Sequence, residues 1–134
     1  MEPTIEVVNH HHLDGDTDGT IYIGRPGRGE EGHPLANPRP RANNPQDTLE
    51  AYERELRAAL DKDVQGAAWG TRSDGSPRTL TEKERVQMRD AMNHLYLRAR
   101  REGRLRLRCF CAPRPCHGDV IRTLLLEAFR EAGT

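Results

Sequence analysis

All three cysteines of the chain fall in one stretch, Cys109-Phe110-Cys111-Ala112-Pro113-Arg114-Pro115-Cys116-His117-Gly118-Asp119, and that stretch sits on a structural joint. Before it, Arg104-Leu105-Arg106-Leu107-Arg108 alternates basic and apolar residues, the period-two pattern of a β-strand. After it, Val120, Ile121, Leu124, Leu125 and Phe129 recur at helical spacing. The joint therefore runs from strand through loop to helix, the building unit of α/β folds. In open α/β sheets ligands collect beyond the carboxyl ends of the strands.

The rest of the chain must supply partners for that unit. Thr4-Ile5-Glu6-Val7-Val8-Asn9 is β-branched with a polar stop and predicts a first strand. His10, His11 and His12 follow. Adjacent side chains on extended backbone point to opposite faces, so a surface turn is expected rather than a metal set. Asp14-Gly15-Asp16-Thr17-Asp18-Gly19 opens like a calcium loop. Its twelfth position is Arg25 where a bidentate Glu is needed, and Thr20-Ile21-Tyr22-Ile23 reads as a strand. The expectation is a Gly/Asp turn joining two strands. Tyr22-Ile23-Gly24-Arg25-Pro26-Gly27-Arg28-Gly29 ends that strand in a glycine-rich basic loop. Its main-chain N–H groups, with Arg25 and Arg28, can cradle an anion, although the spacing is neither the Walker nor the dinucleotide fingerprint.

Residues 32–45 hold four prolines and three asparagines, which exclude a regular helix or central strand. Within them Asn37-Pro38 is a rigid turn suited to presenting an amide to a ligand edge. Asp47, with Glu50 three residues on, predicts a helix to about Lys62, with Leu49, Tyr52, Leu56, Ala59 and Leu60 as its apolar stripe. Residues 64–80 are rich in Gly, Ser and Asp and are expected to be a flexible insertion carrying Trp69, the only tryptophan. A further short strand fits either there or in 28–45. Thr81 and Glu84 start a second helix, with Met88, Ala91, Met92, Leu95 and Ala99 inward and Gly103 as its stop. His94 lies one position off that stripe and is expected at the surface.

The order β, β, α, α, β, α predicts an α/β fold: a short, mostly parallel sheet flanked by helices. At 134 residues this is one domain, 1–134, with flexible insertions expected at 26–45 and 64–80. Basic and acidic residues balance at 21 each, so no global nucleic-acid footprint exists. Arg98, Arg100, Arg101, Arg104, Arg106 and Arg108 nevertheless form a local basic segment. No apolar run is long enough for a membrane span, and the first residues lack a secretory signal. Three clustered cysteines make no disulfide framework, which fits a reduced, cytoplasmic setting.

Two chemistries suit the cysteine stretch. Cys116, His117 and Asp119 stand where a helix begins, which favours negative charge, lowers a thiol pKa and holds a phosphate or oxyanion. His117 or Asp119 would then move a proton. Alternatively Cys109, Cys111, Cys116 and His117 bind zinc, although C-x-C followed by adjacent C-H is not the usual spacing. The plainer readings are a buried Cys109 and a helix-capping Asp119.

Val7-Val8-Asn9, then Tyr22-Ile23-Gly24-Arg25 with Leu35-Ala36-Asn37-Pro38, then the cysteine stretch, resemble in this order the small phage and bacterial family filed as domain of unknown function 4326. Its members have a shorter path between the Tyr-Ile-Gly-Arg strand and the Asn-Pro turn, and a Gly in place of Ala36. The resemblance implies a compact Rossmann-like domain with no established activity. That architecture is similar to proteins binding nucleotides, nucleosides or nucleotide sugars, including deoxyribosyltransferase-like folds. The glycine-rich PGG signature of related nucleotide-binding families and a clear catalytic Glu are both missing. The expected function is binding, and processing by glycosyl transfer or N-glycoside cleavage, of such a ligand. The expected binding residues are Asn9, Tyr22, Gly24, Arg25, Asn37 and Gly118; Cys116, His117 and Asp119 would carry the chemistry. The alternatives are a metal-stapled module, or a phage-type interaction protein binding a host partner or nucleic acid.

Overall fold

The computed structural model describes residues 2–27, 29–38, 45–110 and 116–133, with only the backbone of 45–47. Three strands form a parallel sheet in the order β1-β5-β2: β1 is Thr4–Asn9, β2 is Thr20–Tyr22 and β5 is Arg104–Cys109. β5 is central, although it comes last in the chain. Ile5 pairs with Leu105, Val7 with Leu107 and Asn9 with Cys109 on one side; Ile21 pairs with Leu107 on the other. Side chains alternate across a strand, so these positions share one face, and Leu105, Leu107 and Cys109 are buried there in the core. Glu6, Val8, Arg104, Arg106, Arg108, Thr20 and Tyr22 take the opposite face.

Three helices complete the layer: α1 (Pro45–Leu60), α2 (Glu82–Glu102) and α3 (His117–Ala132). Tyr52, Leu56 and Ala59 of α1, Met88, Leu95 and Ala99 of α2, and Ile121 and Leu125 of α3 join the strand residues in one core. α1 begins two residues before the expected Asp47, at Pro45, where a proline's missing N–H costs nothing. α2 keeps the expected bounds. Thr81 accepts from Glu84 N while the Glu84 carboxylate accepts from Thr81 N, and Gly103 ends the helix at φ 72°. His94 is exposed, as its offset from the stripe implied.

The segment between α1 and α2 carries an antiparallel hairpin, β3 (Ala68–Thr71) and β4 (Pro77–Thr79). Trp69 is buried from it against Tyr52, ring centroids 5.3 Å apart. Arg85, buried in α2, ties the end of α1 to this segment. It donates to the carbonyls of Ala59, Ala58, Asp61 and Val64 at 2.7–3.2 Å. A guanidinium at a helix C-terminus satisfies carbonyls the helix leaves open and complements its dipole. The three histidines after β1 form a short 3-10 turn, His10–Leu13, capped by Asn9. Asp14, at φ 49°, starts the turn into β2. Among the described residues no helix is long and apolar enough to cross a membrane.

Candidate functional site at the carboxyl edge of the sheet

The loop leaving β2 is stitched to its surroundings by main-chain groups. Ile23 N donates to Arg108 O at 3.1 Å, His33 N donates to Gly24 O at 3.0 Å, and Gly27 and Glu30 bridge each other. The Tyr22 hydroxyl curls over Gly24 to donate to Arg25 O at 2.7 Å. A Cβ on Gly24 would overlap the tip of the Tyr22 ring, so a side chain there would push the tyrosine off its bond to Arg25 O. Arg108, buried, anchors the loop from the sheet side through Glu30, with Thr20 Oγ1 at 3.0 Å and His10 Nδ1 at 2.9 Å. The Arg108 hydrogen bond and charge hold the Glu30 carboxyl below its usual pKa.

From the other side comes the start of α3. His117 is buried, with Nε2 2.7 Å from Ile23 O. Gly118 lies against both strands: a Cβ there would be 2.9 Å from Ile23 Cδ1 and 2.9 Å from Val7 Cγ1. Only a residue without a side chain lets the helix start sit this close to β1 and the end of β2. Burial pushes the His117 pKa below its ordinary value; Arg25 acts the same way, while the Ile23 contact and Asp119 act against it. The neutral ring donating Nε2–H to the carbonyl satisfies both groups. Asp119, exposed on the first turn, accepts from Cys116 N at 3.0 Å, the capping role anticipated for it.

Cys116 and Cys109 face each other in the core, Sγ to Sγ 3.5 Å. The hydrogen bond to Cys109 and then burial push the Cys116 thiol pKa upward, not downward as its helix-start position suggested. Desolvation and a neighbouring sulfur outweigh the helix field here. A thiol so held stays protonated at neutral pH and is a poor nucleophile. Cys111 lies outside the described residues, as do Arg28 and residues 112–115. Among the described residues no three His, Cys, Asp or Glu side chains are gathered in a metal-binding group.

Asn9 ends β1 at the same edge, its Nδ2 3.4 Å from Phe110 O and its Oδ1 accepting from His11 N at 2.9 Å. Asn9, Tyr22, Gly24, Arg25, His117, Gly118 and Asp119 therefore occupy one rim, with Arg25 exposed on it. Asn37 stands further along the loop, between Leu35 and Pro38. Leu35 is buried, its carbonyl taken by the Tyr52 hydroxyl at 2.6 Å, and Pro38 packs where a Gly70 Cβ would be 3.0 Å away. Asn37 thus belongs to the stretch that leans on α1 and the hairpin. Tyr52, seen in the sequence only as part of an apolar stripe, proves to tie the site together. Its ring also meets His117 edge-on at 5.6 Å. A tyrosine at a core position always needs a partner for its hydroxyl, and that was the available signal. His33 was not anticipated. Its Nδ1 accepts from Leu35 N at 3.1 Å. Burial first, then the His117 and His94 charges, lower its pKa to about 4.

A short parallel sheet flanked by helices, with the glycine loop and a helix start meeting at its carboxyl ends, defines a small α/β protein. The chain belongs to the family described as Domain of unknown function (DUF4326), whose model matches residues 8–127. Neither the curated proteins nor the solved structures give a match to this chain.

Proposed function

We propose that the carboxyl rim of this sheet, in a Rossmann-like domain of the cytoplasm, binds a nucleotide, nucleoside or nucleotide sugar. The observation that carries this reading is the His117–Ile23 contact of 2.7 Å, which brings the glycine loop of β2 onto the start of α3. Arg25 is thereby set near the helix start that favours an anion, and two opposite charges, Arg25 and Asp119, flank one buried neutral imidazole. In this arrangement Arg25 would hold a phosphate. Cleavage or transfer of a glycosidic bond would use Asp119 as the proton-handling group, since it is the exposed carboxylate of the rim. His117 and Gly118 are positioning residues, and Cys116 is a packed thiol.

Differential scanning fluorimetry against a panel of nucleotides, nucleosides and nucleotide sugars tests the reading, with chromatography of the same mixtures for products. A saturable rise in Tm that Arg25→Ala abolishes is expected, because a ligand binding only the folded state stabilises it. No shift and no turnover across the panel would sink the proposal.

The sulfur pair favours a second reading, a thiolate metal module. At Zn–S of about 2.3 Å, two tetrahedral thiolate ligands stand roughly 3.8 Å apart, close to the observed separation. His117 fits this set poorly, because its Nε2 already faces a carbonyl. About one zinc per chain by elemental analysis, lost in Cys109→Ser, would favour the module over the nucleotide rim.

A further inference from the structure

Parallel sheets ordinarily bury both faces, because their crossover helices cover them. Here α1, α2 and α3 share one core with Ile5, Leu105, Leu107 and Cys109, on one face of the sheet. The other face carries a ladder of arginines down the central strand: Arg104, Arg106 and Arg108, two residues apart. Strand geometry sets these about 6.6 Å apart along a straight line.

The charges on this face do not balance. Arg108 is matched by Glu30. Arg104 and Arg106 share one carboxylate, Glu6, at 3.1 and 3.8 Å. Arg104 is 58% exposed and Arg106 28% exposed, so both remain within reach of a partner. The Arg106 Nε is buried with no hydrogen-bond acceptor among the described residues. One surplus positive charge on a regular ladder with exposed side chains calls for an anion. A second feature narrows the anion. Where the ladder ends, Phe110 lies 5.0 Å from His10, 5.3 Å from His11 and 5.7 Å from Tyr22, centroid to centroid. The Arg108 guanidinium lies 5.2 Å from the Tyr22 ring centre. Phe110, Tyr22 and His10 are partly exposed and His11 is exposed.

We infer that this open face docks a single-stranded nucleic acid, with Arg104 and Arg106 on successive phosphates and the Phe110 ring cluster against a base. A row of cations tracking a backbone beside aromatic faces is the arrangement by which sheets hold single strands without needing a strongly basic chain. An acidic peptide would use the arginines but leave the rings without a role. The ring cluster borders the carboxyl rim through Tyr22, but Arg104 and Arg106 lie outside that rim, so the salt-slope test on the two arginines reads this face and not the nucleotide site.

Fluorescence anisotropy with labelled twelve-nucleotide oligo-U and oligo-dT, a duplex of equal length and a polyglutamate peptide tests it. Single strands should bind at low salt. Arg104→Gln/Arg106→Gln should weaken them at least tenfold and reduce the slope of log K against log salt by about 1.4, roughly 0.7 per lost phosphate contact. Phe110→Leu should weaken binding at least fivefold with the salt slope unchanged. Circular dichroism verifies folding; should the double variant unfold, the exposed Arg104→Gln alone must still lower the slope by about 0.7. Absence of single-strand binding, binding indifferent to these substitutions, or equal affinity for duplex or polyglutamate would each overturn the inference.

Discussion

Gly118 and His33 show how much one residue can decide here. The space beside Gly118 is filled by Ile23 and Val7 at distances that a Cβ cannot share. Gly118→Ala should therefore destabilise the protein by about 1–3 kcal/mol despite alanine's better helix propensity, as read from urea denaturation. His33 gives a pH signature. Its folded-state pKa of about 4 lies below the ordinary 6.5, so the unfolded chain takes up a proton that the folded chain refuses. This contribution is fully present above pH 6.5 and declines as pH falls from 6.5 towards 4; His117 acts in the same direction. The urea midpoint should fall over that range, and His33→Gln should flatten the fall between pH 6.5 and 5, where carboxylates contribute little. Neither effect could be located from the sequence, because both depend on neighbours far along the chain.

Elements were more legible than residues. The ends of α2 were written in Thr81, Glu84 and Gly103, since capping is a local interaction, and the structure has that helix where the pattern put it. β5 followed from its alternation, and β1 from its β-branched residues and polar stop. The segment between α1 and α2 showed only turn residues, yet it contains a hairpin held by a buried Trp69. Four-residue and three-residue strands leave too few positions for a periodic signal. Arg85 was equally hidden among the charged residues of α2. Because it closes the end of α1 through four carbonyls, Arg85→Met should cost about 3 kcal/mol or more in chemical denaturation. Arg85→Lys should recover little, as one ammonium cannot fork to so many acceptors.

At the scale of the whole molecule the central strand organises everything. β5 pairs on both sides, packs its apolar face under α2 and α3, and delivers the chain to the rim. Its amides at Leu105 and Leu107 should be among the slowest to exchange, close to the rate of global unfolding, whereas those of the β3–β4 hairpin should exchange faster by hydrogen-exchange mass spectrometry. Comparable protection in hairpin and β5 would contradict this hierarchy.

By itself the sequence determined the α/β class, the order of the three helices and of the sheet strands around them, and the boundaries of α2. These follow from short-range patterns: alternation, helical spacing, caps and turn residues. Only the tertiary structure decided that β5 lies between β1 and β2, that one sheet face carries arginines while the other is core, and that the Cys116 thiol is raised in pKa beside Cys109 rather than activated. Strand order, desolvation and sulfur–sulfur proximity are set by residues brought together from distant parts of the chain, and local pattern carries no record of them.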